Sequence, residues 1–224
     1  MAGVRIQALI LDWSGTMVDD LPPVWRTTNH VFAACGLPAI SLEDFRREFC
    51  LPVKKFYAPR VPHVSQAKLE EMFLAEYRQH HHEITVLPHT RAFLEFCRQA
   101  RWPVFIASTV DTETYESLAA RFELDGFITQ AYIGIEDKTQ KIHHILEENR
   151  LEGRRTLFVG DMEHDIEAGK AGGVHTCAVL SGYNHVEKLR AMAPDLMCAH
   201  LGELQEILAR GGSNVGCSIS PATV

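Results

Sequence analysis

Residues 8–16 read Ala8-Leu9-Ile10-Leu11-Asp12-Trp13-Ser14-Gly15-Thr16. Four consecutive apolar side chains end abruptly at an aspartate, and a glycine marks the turn that follows. A strand exposed on one face alternates apolar and polar residues, whereas a strand covered on both faces does not need to. Ala8–Leu11 is therefore expected to be a strand in the middle of a parallel sheet. Three further runs have the same character: residues 103–108 (PVFIAS), 156–160 (TLFVG) and 174–180 (VHTCAVL). Residues 127–133 and 195–199 are weaker strand candidates. Between these runs lie helical spacings at 90–100, 112–122, 139–149, 165–171 and 201–209. In the third, Ile142, Ile145 and Leu146 share one face. Strands alternating with helices of this length imply an α/β chain with a Rossmann-like, doubly wound parallel sheet.

One stretch breaks the alternation. Residues 19–87 show only helical spacing, with Val24, Thr28, Val31 and Phe32 forming one stripe and Leu69, Met72, Phe73 and Tyr77 another. That is too long for a strand-to-helix connection. It reads as a helical cap inserted after the first strand, bounded by Pro22-Pro23 and Leu87-Pro88. The sheet core is then expected over 1–18 and 88–210, and residues 211–224, rich in Gly and Ser, as a mobile tail. The 224 residues include 46% hydrophobic side chains, enough for a sizeable core. With 22 Lys+Arg against 29 Asp+Glu the net charge is −7. That balance argues against nucleic acid or an anionic membrane as partner, since both select clustered cations, but it leaves room for a small phosphorylated molecule. The six cysteines form no CxxC pair and mostly lie in apolar runs, as reduced, buried thiols would. No run approaches the ~18 apolar residues of a spanning helix and no secretory signal is visible, so a cytoplasmic location is expected.

In an open parallel sheet, ligands collect at the carboxyl ends of the strands. The residues that end these strands are Asp12, the pair Ser108-Thr109, and Asp161 with Asp165 four positions later; Lys138 and Lys141 follow the weak strand at 127–133. Singly, each has a plain reading as a helix cap, a turn residue or a solvated charge. Together, several carboxylates at one sheet edge repel one another unless a cation sits among them. An all-oxygen ligand set that leaves places for water and phosphate suits Mg²⁺.

The set DWSGT (12–16), ST (108–109), Lys138 and GDMEHD (160–165), with the longer run VGDMEHDIEAGKAGG, resembles the four motifs of the haloacid dehalogenase superfamily. The likeness is strongest to its phosphoglycolate phosphatase and phosphonatase branch, which carries a helical cap after the first motif. The resemblance implies Asp12 as the nucleophile that forms an aspartyl-phosphate. It implies Ser108, or else Thr109, on the transferring phosphoryl group, and Lys138, with Lys141 as the fallback, neutralising charge. Mg²⁺ would be bound by Asp12, by Asp161 directly, by the backbone carbonyl of Ser14, and with the help of Asp165 through water or through the lysine; Gly15 and Thr16 would lie at the substrate. The implied substrate is a small phosphorylated metabolite.

The chain departs from the phosphatase pattern at Ser14, where these enzymes place a second aspartate as general acid/base. A serine hydroxyl does not ionise near neutral pH and cannot replace a carboxylic acid, and such catalysis contributes roughly 10²–10⁴-fold, so slow turnover is expected unless His164 or a cap histidine supplies a base. Two alternatives follow. A phosphonoacetaldehyde hydrolase has a small residue at this position and a cap lysine that forms a Schiff base, which Lys54 would be. Otherwise the fold binds phosphate ligands without turnover. His80-His81-His82 reads as a solvated helix end favoured by the helix dipole, and Trp13 as a packing residue.

Overall fold

The computed structural model describes residues 4–210 together with Asn214–Val215. Strand β1 (Val4–Arg5) precedes β2 (Ala8–Leu11) and β3 (Val18–Asp19). Four helices follow: α1 (Leu21–Ala34), α2 (Leu42–Glu48), α3 (Val53–Tyr57) and α4 (Gln66–His80). The chain returns through β4 (Thr85–Val86) and then alternates: α5 (Thr90–Gln99), β5 (Val104–Ala107), α6 (Thr112–Arg121), β6 (Gln130–Tyr132), α7 (Lys138–Glu148), β7 (Thr156–Gly160), α8 (Glu163–Ala171) and β8 (His175–Val179). It ends with α9 (Val186–Ala191), β9 (Leu196–Cys198), α10 (Leu201–Arg210) and β10 (Asn214–Val215).

Six strands form one parallel sheet in the order β6-β5-β2-β7-β8-β9. The unbroken apolar run of β2 has a direct cause. Leu9 and Leu11 enter one core with Val104, Ile106, Leu157 and Val159, under α5, α6 and α10. Ile10 points the other way, joining Phe105, Phe158, Ile142 and Ala168 under α7 and α8. With both faces covered, no position in the strand favours a polar residue. From β2 the chain moves to β5 and β6, then crosses back to β7 on the other side of β2. The topological switch therefore lies between β2 and β7, where a crevice opens beyond the strand ends.

The cap has its own core, in which Val31, Phe32, Phe45, Phe56 and Leu69 pack together with Met162 and Tyr183 from the sheet domain. The two expected helical stripes lie on α1 and α4, which pack against each other. One expectation is corrected: 19–87 is not purely helical. Val18–Asp19 and Thr85–Val86 form a two-stranded antiparallel pair where the chain leaves and re-enters the sheet domain. Two-residue strands carry no periodicity, so their pairing is invisible in sequence. Most of the expected tail, 211–224, lies outside the described residues; Asn214–Val215 pair antiparallel with Val4–Arg5. Among the described residues no helix is long and apolar enough to cross a membrane.

Candidate active site

Asp12 follows β2 directly and Asp161 follows β7, so the switch point brings the two carboxylates side by side. Asp165 sits on the first turn of α8, and its Oδ2 accepts the backbone N–H of Met162 at 3.0 Å. A methyl group on Gly160 would lie 2.3 Å from the Asp165 carboxyl carbon, so only glycine allows this approach. Asp12, Asp161 and Asp165 are all buried, and one oxygen of each lies within 4.8 Å of the others.

Lys138, the first residue of α7, places Nζ 2.7 Å from Asp12 Oδ1 and 2.7 Å from Asp165 Oδ1. Burial alone would lower its pKa, but the two carboxylates push it up to about 12, so the ammonium stays charged. Lys141 is not at the site; its Nζ lies 5.1 Å from the centre of the Tyr132 ring. Three buried carboxylates thus face one lysine. Desolvation raises Asp12, and raises Asp161 further with help from its acidic neighbours. Excess negative charge in a dry, all-oxygen pocket is what a hard divalent cation offsets, and these residues fit one.

Gly15 and Thr16 lie against Asp161. Thr16 is buried and donates from Oγ1 to Asp161 Oδ1 at 3.0 Å, while Asp161 Oδ2 accepts from the Tyr183 N–H at 2.6 Å. Gly15, at φ +73°, leaves room for Asp161, whose Oδ2 would lie 2.5 Å from an added methyl group. Both residues therefore hold Asp161 in position. Ser108 directly follows β5, the neighbour of β2, and is buried, whereas Thr109 is exposed in the wall of a cavity of about 1320 Å³ between cap and sheet domain. Lys138 and His164 line the same cavity, as does Lys54, which α3 carries in an exposed position.

His164 lies 3.3 Å from Asp165 Oδ1, yet neither ring nitrogen has a hydrogen-bond partner. Burial, and then the Lys138 charge, push its pKa down to about 3. It is a neutral imidazole and a weak base at neutral pH. Of the His80–His82 run, His80 packs against Glu83 at 2.6 Å and Glu76 at 3.2 Å. Trp13 is fully buried, edge-on to Tyr115 with ring centres 4.7 Å apart.

A family model for haloacid dehalogenase-like hydrolases matches residues 9–179. The chain belongs to the haloacid dehalogenase-like hydrolases. This hydrolase is 24% identical over 220 residues to a phosphoglycolate phosphatase of Vibrio parahaemolyticus, a match covering 91% of this chain and 96% of the other. It is 25% identical to a phosphoglycolate phosphatase of Pseudomonas syringae, over 91% and 80% of the two chains. Among solved structures, a haloacid dehalogenase-like protein of Streptococcus pneumoniae superposes on the hydrolase with a TM-score of 0.77 at 22% identity, over 92% and 98% of the chains. A family hydrolase of Deinococcus radiodurans, solved with bound phosphate and sodium, does so with a TM-score of 0.76 at 16% identity, over 96% and 100%.

One site residue of this hydrolase was not singled out from the sequence. Asp20 is buried, 6% exposed, beside the side chains of Ser14 and Tyr183, with its Oδ1 lacking a partner. Desolvation pushes its pKa up to about 7, and the neighbouring Ser14 and Tyr183 hydroxyls offset part of that cost. Asp20 is the N-cap residue of α1 but makes no capping bond. The signal was present in the sequence: an N-cap carboxylate accepts from the second or third helical N–H, and those residues are Pro22 and Pro23, which have none.

Proposed function

We propose that this hydrolase is a Mg²⁺-dependent phosphomonoesterase of small phosphorylated metabolites, working through an aspartyl-phosphate on Asp12. The observation that carries the reading is the buried Lys138 bridge between Asp12 and Asp165, with Asp161 alongside. Asp12 Oδ2 would attack phosphorus while Oδ1 stays with Lys138; the phosphorus–oxygen bond to the alcohol breaks, and water then cleaves the acyl phosphate. Ser108 would donate its hydroxyl proton to a phosphoryl oxygen. Asp12, Asp161 and the Ser14 carbonyl would hold Mg²⁺, which supplies charge neutralisation for the phosphoryl group. Asp165, with both oxygens engaged by protein, would orient Lys138. Catalysis of this kind rests on positioning and electrostatics.

The departing alkoxide and the attacking water both require proton transfer. Ser14 cannot perform it, and a neutral His164 held at about 3 is neither an acid nor an effective base at neutral pH. Turnover is therefore expected to be slow, with hydrolysis of the aspartyl-phosphate most affected. The test is phosphate release from a phosphomonoester panel with Mg²⁺ and with chelator. Wild type should be active only with Mg²⁺, Asp12→Asn inactive, and Ser14→Asp faster by ~10²-fold or more. Equal activity of Asp12→Asn and wild type would overturn the reading. Trapping of Lys54 by borohydride with phosphonoacetaldehyde would favour the phosphonatase alternative. Phosphate binding without turnover in any variant would favour a binding protein.

A further inference from the structure

The cavity beside Lys138 and His164 has walls that a substrate the size of phosphoglycolate does not explain. At about 1320 Å³ it exceeds the ~300–1,000 Å³ of ordinary small-molecule pockets. Three separate cap elements contribute apolar lining, with Val24 on α1, Val53 on α3 and Leu74 on α4. Val53 is 39% exposed and Leu74 41%, and they are two of three large apolar side chains exposed to that degree among the described residues. The third, Leu42, lies elsewhere. Apolar surface left open on two helices that line one cavity is surface whose cover by a ligand's hydrocarbon is favourable. The charges lining the cavity do not select a second anion, because Lys54 and Lys55 are outnumbered by Glu70, Glu136, Asp137 and Glu167. The cavity lining thus combines Lys138, whose Nζ bonds Asp12, with hydrocarbon from the cap.

We propose that the substrate is a phosphate monoester of an extended apolar alcohol, with its phosphoryl group at Asp12 and its chain or ring lying against Val24, Val53 and Leu74. The inference rests on the phosphomonoesterase reading for its reaction and on the cavity walls for its substrate class. Cleavage returns the apolar alcohol, which takes up a proton from water, and inorganic phosphate.

The test is a homologous series from ethyl to octyl phosphate, with phosphoglycolate and 1-naphthyl phosphate alongside. Burial of each added methylene corresponds to roughly a fourfold gain in kcat/KM until the cavity is filled. Octyl and naphthyl phosphate should therefore exceed phosphoglycolate by ~100-fold or more. Val53→Asp and Leu74→Asp, both at exposed positions, should flatten the chain-length slope, whereas Leu42→Asp should leave it steep. A second readout does not need turnover: calorimetric binding of the same series to Asp12→Asn protein should show Kd falling with chain length. A flat series with phosphoglycolate preferred would overturn the inference while leaving the phosphomonoesterase reading intact. No hydrolysis by wild type, with Kd still falling along the series, would overturn the reaction but keep the ligand class. A flat binding series would overturn the ligand class outright.

Discussion

Asp20 shows how a single side chain can be set apart by its neighbours. The prolines at 22 and 23 remove the donors that would make it an ordinary cap, and folding then encloses it beside Ser14 and Tyr183. Its native pKa of about 7 stands above the ordinary 3.8, so the folded protein holds this proton to higher pH than the unfolded chain does. The favourable contribution is complete below pH ~4 and is lost as pH rises through ~7. Three pKa units correspond to at most about 4 kcal/mol. Asp20→Asn keeps the shape and removes the titration. Its stability advantage over wild type, read from urea midpoints, should therefore widen from pH 4 to pH 7 and then level off. A constant difference across that range would contradict the assignment. At the same scale, Asp12, Asp161 and Asp165 were legible because each follows a recognisable strand or its turn. In the sequence only motif likeness distinguishes Lys138 from Lys141; its bonds to Asp12 and Asp165 arise from the fold.

At the scale of elements, helices with a long apolar stripe and strands buried on both faces were readable, because burial imposes a pattern on consecutive residues. α9 was not, since its six residues present a single fully buried side chain, Leu189. α2 shows what a short helix contributes once packed. Its capping is local, with Ser41 Oγ accepting from the Asp44 N–H at 3.0 Å. Its stability is tertiary: Phe45, fully buried, has ring centres 4.8 Å from Phe49, 5.6 Å from Phe56 and 6.3 Å from Tyr183. Phe45→Ala should cost about 3–5 kcal/mol. Leu42→Ala on the same helix, at a position already 36% exposed, should cost under ~1 kcal/mol. Paired denaturation curves check the contrast.

Across the whole molecule, the cap is tied to the sheet domain by a few directed bonds as well as by apolar packing. Asn184 donates from Nδ2 to the Phe49 carbonyl at 3.1 Å and accepts the Glu163 N–H at 2.9 Å, while Lys188 reaches the same carbonyl at 2.8 Å. Arg46 donates to the Leu180 carbonyl at 2.7 Å. Asn184→Ala leaves the part-buried Glu163 N–H without this partner and the Phe49 carbonyl with Lys188 alone, and should cost about 1–3 kcal/mol. Hydrogen exchange should locate the effect at 45–50 and at the start of α8; protection lost uniformly over the sheet would contradict a tether confined to this contact. The sequence alone determined the α/β alternation, the helical insertion and the carboxylates at the strand ends. Those features are written in the spacing of neighbouring residues, where burial acts directly on pattern. The tertiary structure alone decided that Lys138 bridges Asp12 across 126 positions, that Gly15 and Thr16 brace Asp161, that Asp20 is enclosed beside Ser14 and Tyr183, and that three cap helices contribute apolar side chains to one cavity. Each depends on where distant segments meet, and no local spacing encodes that meeting.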